Sequence, residues 1–335
     1  MGCPRCRAEY EQIRQGASFA GLLSKVDAPD GLWARIEQSL PGTGAGSTRT
    51  VPWFRFDLTQ APVGLLAVLL ILAAFLAVAV YITRNSRNSW KVNSVAGTTL
   101  IASRPIGSEG KVSVGESIET DSNSRARLYP GNIGEVEIEP DSKLRMLQSR
   151  DNEYRLSLEH GEVKAQISAP PRLFFVDTPS AVAVDLGCAY TLDVDPEGNG
   201  HIDVTAGWVE LDSDDTQSMV PAEAACITRP GSKPGTPFFE DAPQPLKDAI
   251  LKFDFGPIGD RKSALDTVLA QARKRDTLTV WHLLPRVGPD DRPRVYNRLR
   301  ELVPAPEGVT LEGILQLNPV MLQEWFLEIQ PAWFE

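Results

Sequence analysis

One apolar run limits the folds open to this chain more than any other feature. Ala61 to Ile82 spans 22 residues, and no charged side chain occurs between Asp57 and Arg84. A bilayer core takes roughly 20 helical residues, and a buried soluble helix of that length would carry a polar stripe, which is missing here. Pro62 falls at the start, where its lost N–H costs nothing. Trp53 and Tyr81 are placed to sit at the two interfaces. A signal peptide would start near Met1, not after sixty residues. The expectation is one transmembrane helix over 61–82, with the lipid bilayer as a partner.

Charge divides unevenly about this run. The chain carries 34 Lys and Arg against 44 Asp and Glu; seven basic and six acidic residues precede residue 61, and 27 basic and 38 acidic follow residue 82. Such an acidic part is a poor nucleic-acid binder, because phosphate binding rests on Lys and Arg, so no nucleic-acid partner is expected. Some 250 residues suffice for one or two cores. Orientation is ambiguous from charge. Arg49 and Arg55 before the run, against Arg84, Arg87 and Lys91 after it, favour a cytoplasmic large part, whereas the seven positives of the whole stretch before the run favour the reverse.

The arm (residues 1–40) opens with Cys3 and Cys6 in "CPRC". This spacing suits a metal, a redox pair or no special role. A structural zinc site needs four ligands, and the arm holds no histidine and no third cysteine. In "DAPDGLWARIEQSL" Asp30 is placed to cap a short helix whose apolar side is Leu32, Trp33, Ile36 and Leu40. That helix either packs locally or docks a partner through Leu32, Trp33 and Ile36. Residues 41–60 read as a linker. Cys188 and Cys226 are either two buried thiols or a disulfide, if their compartment is oxidising.

Period-two alternation dominates from Gly110 to Thr228, the mark of half-buried strands. Leu128, Val136, Ile138, Leu144 and Met146 fall on one face, with Arg127 and Tyr129 on the other. Leu156, Leu158, Val163, Ala165, Ile167, Phe174, Val176, Tyr190, Leu192, Ile202, Val204, Val209 and Leu211 continue the rhythm. A stacked or sandwiched all-β module is expected. No nucleophile elbow, P-loop, GxGxxG or HExxH occurs. His160 reads as a hairpin corner before Gly161, His201 as a turn or surface residue beside "EGNG", and Trp208 as a core aromatic after a bulge or turn at Gly207.

The period then changes. Residues 233–260 read as an acidic, proline-rich linker with one short helix, and 261–335 as five short amphipathic helices. Leu265, Val268, Leu269 and Ala272 share a face behind a capping box at Ser263 and Asp266. Asn318 followed by Pro319 forms a cap and first turn. His282 is expected to be a packing residue. Trp325, Phe326, Trp333 and Phe334 are expected to be a buried face or, where exposed, a docking surface.

These residues carry two resemblances. The CPxC pair, the "GLWARIE" helix, the linker and one span resemble the arm of zinc-binding anti-sigma factors. In that family a histidine upstream of the cysteines shares the metal. Only Met1 and Gly2 precede Cys3 here, so either the site is lost or the true start lies upstream. The stretches "VGESIETDSNSRARLYPGNIGEVEIEPDSKLRML", "LSLEHGEVKAQI", "FFVDTPSAVAVDLGCAYTLDV" and "HIDVTAGWVEL" resemble a FecR-type domain over residues 108–232. Gly115, Thr120, Pro140, Ser142, Gly161, Val163, Thr178, Pro179, Gly187 and Gly207 match its pattern, with departures at Cys188, Tyr190 and "YPGNIG".

The expected fold is therefore one transmembrane helix and a small all-α C-terminal region, both from residue patterning, with a membrane-proximal segment (83–107) leading to the mainly β, extracytoplasmic FecR-like domain that the resemblance implies. The resemblance implies a non-enzymatic single-pass regulator of the bacterial inner membrane, arm cytoplasmic and large part periplasmic. Its partners would be an extracytoplasmic-function sigma factor inside and an envelope protein outside, with zinc at Cys3 and Cys6 as its one cofactor. The alternative is an envelope interaction protein whose β domain and helical tail bind another surface protein or a glycan. A third reading, an enzyme, would need His160 to meet Glu159 or Glu210.

Overall fold

The computed structural model describes residues 89–213 and 216–334. Strands form where apolar residues alternate. In chain order they are β1 (Ser89–Ala96), β2 (Leu100–Ile101), β3 (Arg104–Pro105), β4 (Glu109–Ser113), β5 (Ser117–Glu119), β6 (Arg125–Tyr129), β7 (Gly134–Ile138), β8 (Lys143–Arg150) and β9 (Glu153–Ile167). Next come β10 (Phe174–Asp177), β11 (Val182–Asp185), β12 (Ala189–Val194), β13 (Gly200–Ala206), β14 (Trp208–Ser213), β15 (Thr216–Pro221), β16 (Ala224–Thr228) and β17 (Phe238–Phe239).

Hydrogen bonding arranges them as two ribbons. One runs β4–β1–β6–β7–β9–β12–β13–β16–β17. The other runs β3–β2–β5–β8–β9–β10–β11–β14–β15. Strand β9 belongs to both, so the described strands form one continuous open sheet system rather than separate stacked hairpins. All pairs are antiparallel except β9–β10, where Phe174 to Asp177 run alongside Tyr154 to Ser157.

Gly161 is the point of transfer. The residues before it pair with β8 and β10, and those after it pair with β7 and β12. Its φ is +93°, and a Cβ there would lie 2.2 Å from the Ser142 Oγ and 2.4 Å from the Ser142 Cα. Only glycine fits a left-handed backbone pressed against a neighbouring strand. The Ser142 hydroxyl accepts a hydrogen bond from the Glu162 N–H at 3.0 Å, and the Glu139 N–H donates to the Glu162 carbonyl. The chain therefore bends through Gly161 without turning back, which corrects the expected hairpin corner at His160.

The core lies on the inward faces of both ribbons. Leu128, Val136, Ile138, Leu144, Leu156, Leu158, Val163, Val176 and Val209 are all fully buried. Their neighbours Arg127, Tyr129, Glu137 and Arg145 are half-exposed, as period two requires. At Gly207, φ +73°, a Cβ would lie 2.3 Å from the Gly187 carbonyl oxygen, and the β12–β13 register shifts beside it. The sequence reading of a turn or bulge holds at that position.

The tail is helical: α1 (Gln244–Phe255), α2 (Arg261–Gln271), α3 (Thr277–Leu283), α4 (Arg292–Leu302), α5 (Leu311–Leu315) and α6 (Pro319–Ile329), with a closing 3-10 turn (Gln330–Trp333). Asn318 caps α6, its side chain accepting from the Val320 and Met321 N–H groups. The expected capping box does not form. Helix α2 already starts at Arg261, so Ser263 lies inside it and donates to the Asp260 carbonyl, while Asp266 pairs with Arg294.

Among the described residues no helix is long and apolar enough to cross a membrane. The longest, α1, has 12 residues, or about 18 Å at the helical rise, against roughly 30 Å of hydrocarbon. The expected span over 61–82 lies outside the described residues. The single-pass architecture is corrected accordingly, and with it the transmembrane helix, the bilayer as a partner and the inner-membrane, periplasmic placement. What the structure shows is an open, mainly β sheet system with a small helical bundle.

Candidate functional site

Cys3, Cys6, Leu32, Trp33 and Ile36 lie outside the described residues, so neither the zinc ligands nor the docking helix has a place in the site geometry. Cys188 and Cys226 are free, buried thiols. Each has its own partner: the Cys188 Sγ donates to the Asp185 carboxylate at 2.6 Å, and the Cys226 Sγ donates to the Gly235 carbonyl at 3.1 Å. Burial pushes the Cys188 thiol well above its ordinary range and the Cys226 thiol up to about 12, so neither is an activated nucleophile.

Glu159 and Glu210, the carboxylates weighed together with His160, each have cationic partners. Glu159 is held by Lys143 at 2.8 Å and Arg145 at 3.1 Å. Glu210 is buried and clamped by the Arg172 Nη2, which donates to both carboxylate oxygens at 2.8 and 2.6 Å. Burial holds the Glu210 carboxyl above its usual range, against the Arg172 charge. Both carboxylates are engaged by cations, and His160 makes hydrogen bonds to neither.

Two places gather chemistry instead. The first joins the tail to the sheets. The imidazole of His282 is buried in α3; its Nδ1 donates to the Leu278 carbonyl at 2.8 Å and its Nε2 accepts from the Met219 N–H at 3.1 Å. Met219 lies on β15, an end strand of its ribbon, so the histidine caps an edge N–H that would otherwise stay unpaired. Burial, with Arg286 nearby, lowers the His282 pKa to about 3. The Arg286 guanidinium donates to the Pro234 carbonyl and the Ser218 hydroxyl, both at 2.6 Å, and faces Asp254 at 3.9 Å. Asp254 in turn accepts from the Thr236 N–H and hydroxyl. An aromatic box seals the join: Trp208 and Phe239 from the strands meet Trp333 at 5.6 and 6.2 Å between centroids, and Phe326 packs on Trp281 at 4.6 Å. Trp208 is thus a bridging residue rather than part of the inter-sheet core. Trp325, Phe326 and Trp333 are buried, while Phe334 is exposed.

The second place is an acidic face. Glu162, Asp193 and His201 lie in register on β9, β12 and β13, beside a groove of about 510 Å³ that also takes in Asp141, His160 and Asp195. His201 and Asp203 are two apart on β13 and share a side of the strand. Glu240, just past β17, joins them, and the ligand-capable atoms of His201, Asp203 and Glu240 all lie within 4.8 Å of one another. The His201 Nδ1 is 3.6 Å from the Asp203 carboxylate. Burial holds the Asp203 carboxyl above its ordinary range, with Glu240 adding to the rise and His201 opposing it. The sequence reads His201 as a turn or surface residue; the signal for a site there was the His-x-Asp spacing on a strand.

Residues 116–210 match the family model described as FecR protein. The match runs from β5 into the first half of β14 and leaves the tail outside it. No curated protein matches the chain. Two crystal structures described as those of a candidate anti-sigma factor from Parabacteroides distasonis ATCC 8503 are similar at 18% identity and a TM-score of 0.33. The similarity covers 41% of this chain and 64% of that one at 2.50 Å resolution, and 46% and 74% for the structure at 1.65 Å. The chain thus spans less than two thirds of the length of the first. The family match carries a FecR-like domain. It does not carry the membrane-spanning sigma-factor regulator with a zinc-binding arm, and that expectation is corrected to the domain alone.

Proposed function

We propose that the described part of this chain is a non-catalytic protein-interaction module, its FecR-like sheets and helical tail acting as one rigid carrier of a binding surface. The supporting observation is an exposed apolar pair on the tail. Val320 and Leu327, seven residues apart on α6, are 64% and 52% exposed. Residues seven apart on a helix share a face, and large apolar side chains exposed on one face mark a contact surface. Phe334, beyond the closing 3-10 turn, is exposed as well. An aliphatic pair suits a protein partner better than a glycan, whose hydroxyls need polar groups. The rigid-carrier part rests on the sealed join at His282, Arg286 and Trp333.

The test is capture by the full-length chain and by a Val320→Glu/Leu327→Glu variant from the native host, with circular dichroism confirming equal folding. A partner retained by the parent and lost by the variant supports the reading. Equal recovery of every captured protein by both chains refutes it.

A further inference from the structure

We infer that His201, Asp203 and Glu240 form a binding site for a divalent transition-metal ion, of the Zn²⁺ or Mn²⁺ class. Three observations converge on it. One imidazole and two carboxylates point to a common locus, with donor atoms within 4.8 Å of one another; a mixed nitrogen and oxygen set of three, leaving positions for water, is the set such ions take. The three donors come from two parts of the chain that the fold brings together. His201 and Asp203 sit on a central strand of their ribbon, and Glu240 is fixed where its N–H donates to the Glu223 carbonyl. The surroundings are also strongly electronegative for a sheet surface. Asp193 stands opposite both His201 and Glu162, and like charges facing across strands are unfavourable unless a cation joins them. Lys247 pairs with the Glu240 carboxylate at 3.3 Å, and Lys164 is shared between Glu139 and Glu162.

The site has a structural consequence. Glu240 lies four residues before α1 begins, so an ion held there ties the entry to the helical tail onto β13. Binding to the folded state alone raises stability by mass action, and the tail junction is where that gain acts.

The experiment uses the full-length chain in a Cys3→Ser/Cys6→Ser background, so that the N-terminal thiols contribute nothing. Zn²⁺ and Mn²⁺ are titrated calorimetrically, and Co²⁺ serves as a spectroscopic probe. The expected result is saturable binding of one ion, a visible Co²⁺ spectrum without a thiolate charge-transfer band, and a raised melting temperature. His201→Asn, Asp203→Asn and Glu240→Gln, all at partly exposed positions, should each weaken binding by about tenfold or more while leaving the metal-free melting curve in place. The absence of saturable binding in the parent overturns the inference. So does affinity unchanged in all three variants.

Discussion

His282 offers a quantitative test of how the tail is joined to the sheets. It is buried, donates to Leu278, accepts from Met219, and has its pKa lowered from 6.5 to about 3. The charged groups around it are Arg286, which disfavours its protonation, and beyond that Asp254. A histidine whose folded pKa is depressed lends stability that is fully present above its unfolded value of 6.5 and is lost as pH falls toward 3. In that window the unfolded chain binds one proton more, so stability falls by about 1.4 kcal/mol per pH unit on this group's account. A His282→Gln chain keeps a carbonyl oxygen for the Met219 N–H but cannot titrate. From about pH 6 to about pH 4 the wild type should therefore lose about 2.5 kcal/mol relative to the variant. Asp254 titrates in both chains and cancels in the difference. The assay is urea unfolding at stepped pH, followed by tryptophan fluorescence; Trp281 lies 5.0 Å from the imidazole, ring to ring. A difference between the two chains that stays constant across this range would show that His282 is not held neutral by burial.

Gly161→Ala forces a Cβ into Ser142 at a left-handed φ and should cost about 2–4 kcal/mol, read as a lowered urea midpoint, whereas an alanine at Gly259, with nothing within 4 Å of its Cβ, should leave the midpoint nearly in place. Trp333→Ala removes a fully buried side chain whose Nε1 donates to Thr277 at 3.0 Å and should destabilise by about 3–5 kcal/mol by thermal melting. Arg286→Leu strands the buried Asp254 and should cost about 3–5 kcal/mol, part of which Asp254→Leu should restore in the double variant; full additivity of the two losses would show that the groups are not coupled.

The strand faces were legible because alternation depends only on local backbone geometry. Leu128 between Arg127 and Tyr129, or Val163, Ala165 and Ile167 in sequence, could fall only one way if a core existed. Strand β9 was not legible as one element, because a glycine in a strand pattern reads alike as a turn and as a through-bend. Ser142, which decides between them at Gly161, lies elsewhere in the chain. His282 was expected to pack and does, but its acceptor role toward Met219, 63 residues away, arises from tertiary docking. The same limit hid Glu240 from His201 and Asp203. The helices of the tail were readable from their apolar spacing, yet the capping box at Ser263 was misplaced because Arg261 already begins the helix. The apolar run at 61–82 and the arm before it lie outside the described residues, so the corrected fold rests on the strands and helices from Ser89 onward.

Because a single strand threads both ribbons, the β region has no internal seam. A nick in the turn at Asp151 or Asn152 would leave its two fragments knitted together along the whole of β8 and β9, and neither could be purified alone as a miniature of the parent. Loosening either ribbon should loosen both at once, and amide exchange along β9 should report one shared opening rather than two.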